Sequence, residues 1–297
     1  MLDHLAAAIG RHVDGFAAVT DVPRLTLVAL DETSAPVDLR YEPMVCFIAA
    51  GAKRAVAGDR AWTTGRGEMF LSSLIMPVTA EFVALPYRSA VLHLDDRVLP
   101  ELLLELDGTE IGPSTDPTGQ FAVPMSPELV DAVTRWVRLL DTPQDIRALA
   151  PRVESEVLYR VLCSPLGATL RQLALADSVP ARMRAVAAWI ASHYTEPLTI
   201  DSLVAVANMS PASLHRHFKA STGMSPLRFQ KHLRLQEARR RLVVGDTTAA
   251  LVATAVGYVS PTQFNREYRS VYGLPPAQHG ALVRERLAGR PQEQLTW

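Results

Sequence analysis

The chain has 297 residues, 48% hydrophobic and 21% charged, with thirty basic and thirty-one acidic side chains and a formal charge of −1. That length fits two domains or one large one, the composition excludes gross disorder, and no apolar run approaches the ~18 residues of a membrane span. Asp3 and His4 stand where a signal sequence would be basic, and the two cysteines, Cys46 and Cys163, form no CxxC pattern. A cytoplasmic protein without a disulfide framework or Cys-rich zinc site is therefore expected.

Residues 22–94 read as strands and turns, with short apolar runs at 25–30, 44–50, 69–71 and 90–94. Gly58-Asp59 predicts a hairpin between 53–57 and 60–64, residues 65–68 make a second turn, and Pro77 and Pro86 punctuate later strands. Short strands at this spacing predict a small antiparallel barrel or sandwich. Helical apolar spacing follows at 97–106, 127–140 and 145–162, and the Gly-, Pro-, Ser- and Thr-rich stretch 107–125 reads as a loop. A break at Ser164-Pro165-Leu166-Gly167, a short helical piece and Ser178-Val179-Pro180 mark a linker, after which everything reads helical. The domains expected are 1–165, linker 166–180 and 181–297. The last of these holds fifteen Lys and Arg against seven Asp and Glu, so the back of the chain is basic and the front acidic.

The basic part contains an internal repeat. Ser210-Pro211-Ala212-Ser213-Leu214-His215-Arg216-His217-Phe218-Lys219 aligns with Ser260-Pro261-Thr262-Gln263-Phe264-Asn265-Arg266-Glu267-Tyr268-Arg269 at an offset of 50 residues, and Gly223/Gly273 and Pro226/Pro276 continue the match. In each copy Ser is an N-cap, Pro occupies the first helical position, two apolar residues four apart bury one face, and Gly stops the helix. The opposite face carries Ala212, His215, Arg216 and Lys219, or Thr262, Asn265, Arg266 and Arg269, at i, i+3, i+4, i+7. A short helix precedes each copy, about 200–207 and 248–256, ending beside Asn208 or Gly257, residues that tolerate a left-handed backbone. Helix, tight turn and polar-faced helix is the helix-turn-helix plan, whose second helix reads a major groove. The connector from Ser225-Pro226 to about residue 244, with an apolar stripe of Leu235, Ala238 and Leu242, spans about 30 Å as a helix, near the ~34 Å between successive groove faces.

Residues 183–278 resemble the DNA-binding domain of the AraC/XylS family of bacterial transcription regulators. The likeness rests on the first unit (203–218), Gly223-Met224-Ser225-Pro226, Arg234-Leu235-Gln236-Glu237-Ala238, Ala253-Thr254-Ala255-Val256-Gly257-Tyr258 and Gly273-Leu274-Pro275-Pro276, with Val204 and Asn208 in place of the more usual Ala and Gly. The front half resembles the sensor domain of one AraC-family branch at Tyr41-Glu42-Pro43-Met44-Val45-Cys46, Gly51-Ala52-Lys53-Arg54, Gly65-Arg66-Gly67-Glu68 and Leu170-Arg171-Gln172-Leu173-Ala174. The resemblance implies an α+β chain: a cupin-like β-barrel with helices, then an all-α domain of two helix-turn-helix units joined by a linker helix. It also implies a small-molecule effector, a homodimer and, for an activator, RNA polymerase as partner.

The chemistry assigns base contacts to Arg216 and Arg266 (a fork of donors for guanine O6 and N7), Asn265 (bidentate to adenine), His215, Gln263, and Ala212 and Thr262 (thymine methyl). Lys219, Arg228, Lys231 and Arg269 are assigned to phosphates. In the front half, only His4, His12 and His93 precede residue 180, so no metal and no cofactor is expected. Tyr41, Met44, Cys46, Trp62 and Met69 are candidates to line an effector pocket. Three other readings stay open: a redox or electrophile sensor acting through Cys46, a non-specific architectural DNA binder, and a DNA-repair alkyl-acceptor enzyme. The last needs five cysteines where the chain has two, so a non-enzyme is expected.

Overall fold

The computed structural model describes residues 1–32, 35–95, 97–106, 122–175, 177–245 and 248–288, with side chains through Glu285. Its contacts divide the chain into two units, Met1–Arg184 and a second beginning at Ala185.

The first unit opens with a helix absent from the sequence reading, α1 (Leu2–Arg11), whose Leu5, Ala8 and Ile9 are buried at helical spacing. Strands β1 (Ala17–Val19), β2 (Leu25–Leu30), β3 (Val37–Tyr41), β4 (Met44–Ala57), β5 (Arg60–Gly65), β6 (Glu68–Ser72) and β7 (Met76–His93) follow, and β8 (Ala122–Pro124) comes later. The sheet order is β1-β2-β7-β4-β6-β8, with β3 added on β7 and β5 on β4, and all pairs are antiparallel. The expected hairpin is present, with Ala57 opposite Arg60 across Gly58-Asp59. The sheet curls closed: Tyr41 on β3 and Phe70 on β6, from opposite branches of the strand path, have ring centroids 5.5 Å apart.

Two sequence expectations fail here for one reason, long-range pairing. Pro77 and Pro86 do not separate strands. Both lie inside the 18-residue β7, Pro77 opposite Arg40 of β3, while the β4 ladder skips from Ala52↔Ala84 to Ala50↔Arg88 around Pro86. Gly51 makes that passage possible. Its φ is +72°, and a Cβ there would come within 2.4 Å of the Ala84 carbonyl oxygen. Likewise residues 122–124, read as loop, pair with β6; residues 107–121 of that reading lie outside the described residues.

Helices α2 (Val98–Glu105), α3 (Pro127–Arg138), α4 (Pro143–Leu162) and α5 (Gly167–Ala174) cover one face of the sheet. Their core joins Leu129, Val133, Trp136, Val157 and Val161 to Leu5 and Ile9 of α1 and to Val45, Phe47 and Met69 of the sheet. The stretch 166–180 is not a free linker. Leu166, Leu170 and Leu173 are buried in this core, because α5 presents one apolar stripe to it.

The second unit is helical among its described residues: α6 (Val179–Ser192, within which the division falls), α7 (Ile200–Ala207), α8 (Pro211–Thr222), α9 (Pro226–Val244), α10 (Ala249–Ala255), α11 (Pro261–Tyr272) and α12 (Pro276–Ala288). No described helix is long and apolar enough to cross a membrane.

Candidate nucleic-acid interface

Both repeat copies form the unit their residues dictate. Ser210 Oγ accepts from the Ser213 amide at 3.4 Å and Ser260 Oγ from the Gln263 amide at 3.3 Å, each with Pro at the first helical position. Thr199 and Thr248 cap α7 and α10 in the same way. Asn208 adopts φ 48°, ψ 52° in the first turn and Gly257 adopts φ 88° in the second, and Gly223 and Gly273 end the recognition helices at φ 72° and 75°. The inner faces are fixed by Leu214 and Phe218, and by Phe264 and Tyr268, all fully buried.

That packing turns the opposite faces outward. Ala212, His215, Arg216 and Lys219 on α8 are exposed, as are Thr262, Gln263, Asn265, Arg266 and Arg269 on α11. On each helix the exposed guanidinium, Arg216 or Arg266, stands one turn into the face, with a second base three positions further along. α11 differs in one position. Glu267 accepts from Tyr258 Oη at 2.8 Å, lies 3.1 Å from Lys231 Nζ, and takes a 3.3 Å bond from Gln263 Nε2. Burial pulls its carboxyl up, but these hydrogen bonds outweigh it and hold the group below the usual carboxylate range. Lys231 is thereby drawn from the phosphate role assigned to it: its ammonium ties α9 to α11 because it reaches the one acidic residue of the recognition helix. Arg228 stays exposed at the start of α9.

The connector holds both units. Phe229 of α9 meets Phe218 of α8 edge-on with centroids 5.3 Å apart, while Leu235, Ala238 and Leu242 pack with Val252, Val256, Phe264 and Tyr268. A junction missed in the sequence lies at 194–196. Arg234 donates to the carbonyls of Tyr194 (2.6 Å) and Glu196 (2.9 Å), Gln230 donates to Glu196 O (2.7 Å), and the Arg234 guanidinium lies 5.6 Å from the Tyr258 ring centre. Gly257 packs on the same segment, where a Cβ would fall 2.2 Å from Thr195 O. Entry to the first unit, the connector and the turn of the second are thus locked at one point. The only sequence signal was Arg234 and Gly257 within the family motifs.

In the first unit the barrel brings Tyr41, Met44 and Cys46 together on the inner face of the sheet, buried, with Trp62 half-buried and 6.5 Å from the Phe70 ring. Met69 is not among them. It pairs with Phe47 and faces the helices, because alternate residues of a strand point to opposite sides and Phe70 takes the inward position. Cys46 Sγ is 4.0 Å from Tyr87 Oη and shielded from solvent. The unexpected member is Lys53, 6% exposed, with its ammonium 5.1, 5.0 and 5.7 Å from the ring centres of Tyr41, Phe70 and Tyr87. No group of three or more His, Cys, Asp or Glu among the described residues is placed to hold a metal.

The model of the AraC-type transcriptional regulator N-terminus matches residues 21–169, half of the chain. The chain belongs to the AraC-type transcriptional regulators. A helix-turn-helix domain model matches residues 203–280, which contain both units. The transcriptional activator RhaS of Pectobacterium carotovorum subsp. carotovorum (strain PC1) is 31% identical over 147 residues, 49% of this chain and 50% of that protein. The transcriptional regulator MtrA of Neisseria gonorrhoeae is 40% identical over 80 residues, 27% of each chain. The chain thus spans half or less of the length of these curated relatives. Apo ToxT K231A of Vibrio cholerae strain SCE256 is similar in fold over 88% of this chain and 98% of its own, at a TM-score of 0.55 and 11% identity.

Proposed function

We propose that this AraC-type chain is a sequence-specific transcription regulator that acts by binding, not by turnover, with α8 and α11 in adjacent major-groove segments of one duplex. The observation that carries this reading is the pair of outward faces built at the same helical positions, each bearing an exposed arginine on a helix locked to the common connector α9. In that arrangement Arg216, Arg266, Asn265 and His215 read base edges and Ala212 and Thr262 lie against thymine methyls. Lys219, Arg228 and Arg269 neutralise phosphates. Gln263 is held by Glu267, so it reads a base only by leaving that bond. The barrel domain is the effector-responsive part, the active form is a homodimer, and RNA polymerase is the partner when the protein activates.

Selection of bound duplexes from a random pool tests the reading. The expected result is a motif with two short conserved blocks about one helical turn apart. Affinity that barely depends on sequence would replace it with an architectural binder.

A further inference from the structure

We propose that Lys53 is the anchor for an organic carboxylate effector, held inside the barrel with its apolar body against the rings of Tyr41, Phe70 and Tyr87. This rests on the reading of the barrel as an effector domain and names the chemical class of that effector.

A lysine is almost never this deeply buried unless it is paired. Among the described residues no carboxylate pairs with Lys53, and its neighbours are three aromatic faces. Cation–π contact and the nearby Tyr41 phenol offset part of the lost hydration but supply no counter-charge to the ammonium. The same interior holds three further polar atoms without hydrogen-bond partners: Tyr41 Oη, Thr64 Oγ1 and Ser89 Oγ. Their places in the sheet converge on Lys53. Thr64 lies directly opposite it in the β4–β5 ladder, Ser89 is two residues along β7 from Tyr87, and Tyr41 supplies one of the three rings. Buried polar groups are ordinarily satisfied, so three hydroxyls without partners around one buried ammonium call for a common ligand.

The donor set says what that partner is. An ammonium and three hydroxyls all offer hydrogens, and the cluster contains no carboxylate or other anion among the described residues to receive them. A carboxylate accepts only, through two oxygens with about four lone-pair directions. The aromatic walls require the rest of the ligand to be apolar. A neutral amide of the same shape brings one acceptor oxygen and no charge, so it is a poor substitute.

The test is thermal unfolding of the full chain with benzoate, 3-phenylpropionate and octanoate, each beside its neutral amide. At least one acid is expected to raise Tm by about 3 °C or more at saturating concentration, with its amide well below that. Lys53→Met should abolish the rise while keeping the circular dichroism of the folded chain. Thr64→Val, which removes one donor at nearly constant volume, should reduce the rise without abolishing it. No rise with any of the acids overturns the proposal, as does an equal rise in wild type and Lys53→Met, or an equal response to acid and amide. A response to ordered water alone falls in the first of these. The DNA selection described above needs no effector, so its failure sinks the functional reading while leaving this measurement intact.

Discussion

The two helix-turn-helix units share their plan and differ in what holds them. The first leans on the connector through aromatic packing, Phe218 against Phe229, and its recognition helix carries no acidic residue. The second adds an ionic clasp in which Glu267 gathers Lys231, Tyr258 and Gln263, where the first copy has His217 at the matching position. The second turn also closes against the Thr195 carbonyl with no room for a side chain. Duplicated local sequence therefore gives duplicated local structure, while docking has diverged: the second recognition helix is tied to α9 by an ion pair, and the first meets it through an aromatic pair.

The largest test of that contrast uses two glycines with the same backbone sign. Gly257→Ala must overcome both a positive φ and the collision with Thr195 O, and should cost ~3 kcal/mol. Gly273→Ala meets nothing within 4 Å and should cost ~1 kcal/mol. Denaturant unfolding reads both, and equal costs would show that the turn is not packed as described. Next, Arg266→Ala and Arg216→Ala should each weaken the selected site by ~1–3 kcal/mol and relax preference in one block only. Competition binding against single-base variants checks this; equal loss on random DNA would remove either residue from base reading. Ser210→Ala and Ser260→Ala should each destabilise by ~1 kcal/mol through the lost cap, with little difference between the heads.

The smallest effect is the clasp itself. Glu267 is held below its ordinary pKa, so its contribution is present above the unfolded value and fades as pH falls through the folded one. Because the group is partly exposed and screened, Glu267→Gln should cost only ~0.5–1 kcal/mol at neutral pH. That difference should begin to shrink as pH falls below the ordinary glutamate value of about 4.3 and disappear once it has passed the lowered folded value. A gap that persists in acid would assign the effect to packing.

What was legible in the sequence follows the range of the forces involved. Caps at Ser210 and Ser260, stops at Gly223 and Gly273, and the exposed faces between them depend on residues within a few positions of one another, and the structure has them where the spacing placed them. Strand Leu25–Leu30 and the Gly58-Asp59 hairpin were equally local. Apart from α1, whose Leu5, Ala8 and Ile9 have ordinary helical spacing, the misses involve partners distant in the chain. Pro77 and Pro86 looked like breaks because the neighbouring strands that accommodate them lie elsewhere. Met69 and Phe70 differ only by register, which periodicity leaves undecided when both are apolar. Lys231 was assigned to a phosphate, and Glu267, 36 positions later, came within its reach; Lys53 stood only within a family motif, and three strands close around it.

The register shifts of β4 carry one more consequence. Between Met44 and Ala49 every residue is buried, so Val45, Phe47 and Ala49 press on the helices while Cys46 and Ile48 press on the chamber. Three irregularities between Ile48 and Lys53 then set the remainder of the same strand, with Lys53 on it, against the chamber alone. The partition between the two compartments is a single backbone thick. Under the proposed binding at Lys53, a ligand would act on the same strand whose other face, through Val45 and Phe47, shares a core with Leu5 and Ile9 of α1, so α1 is the element closest to that face.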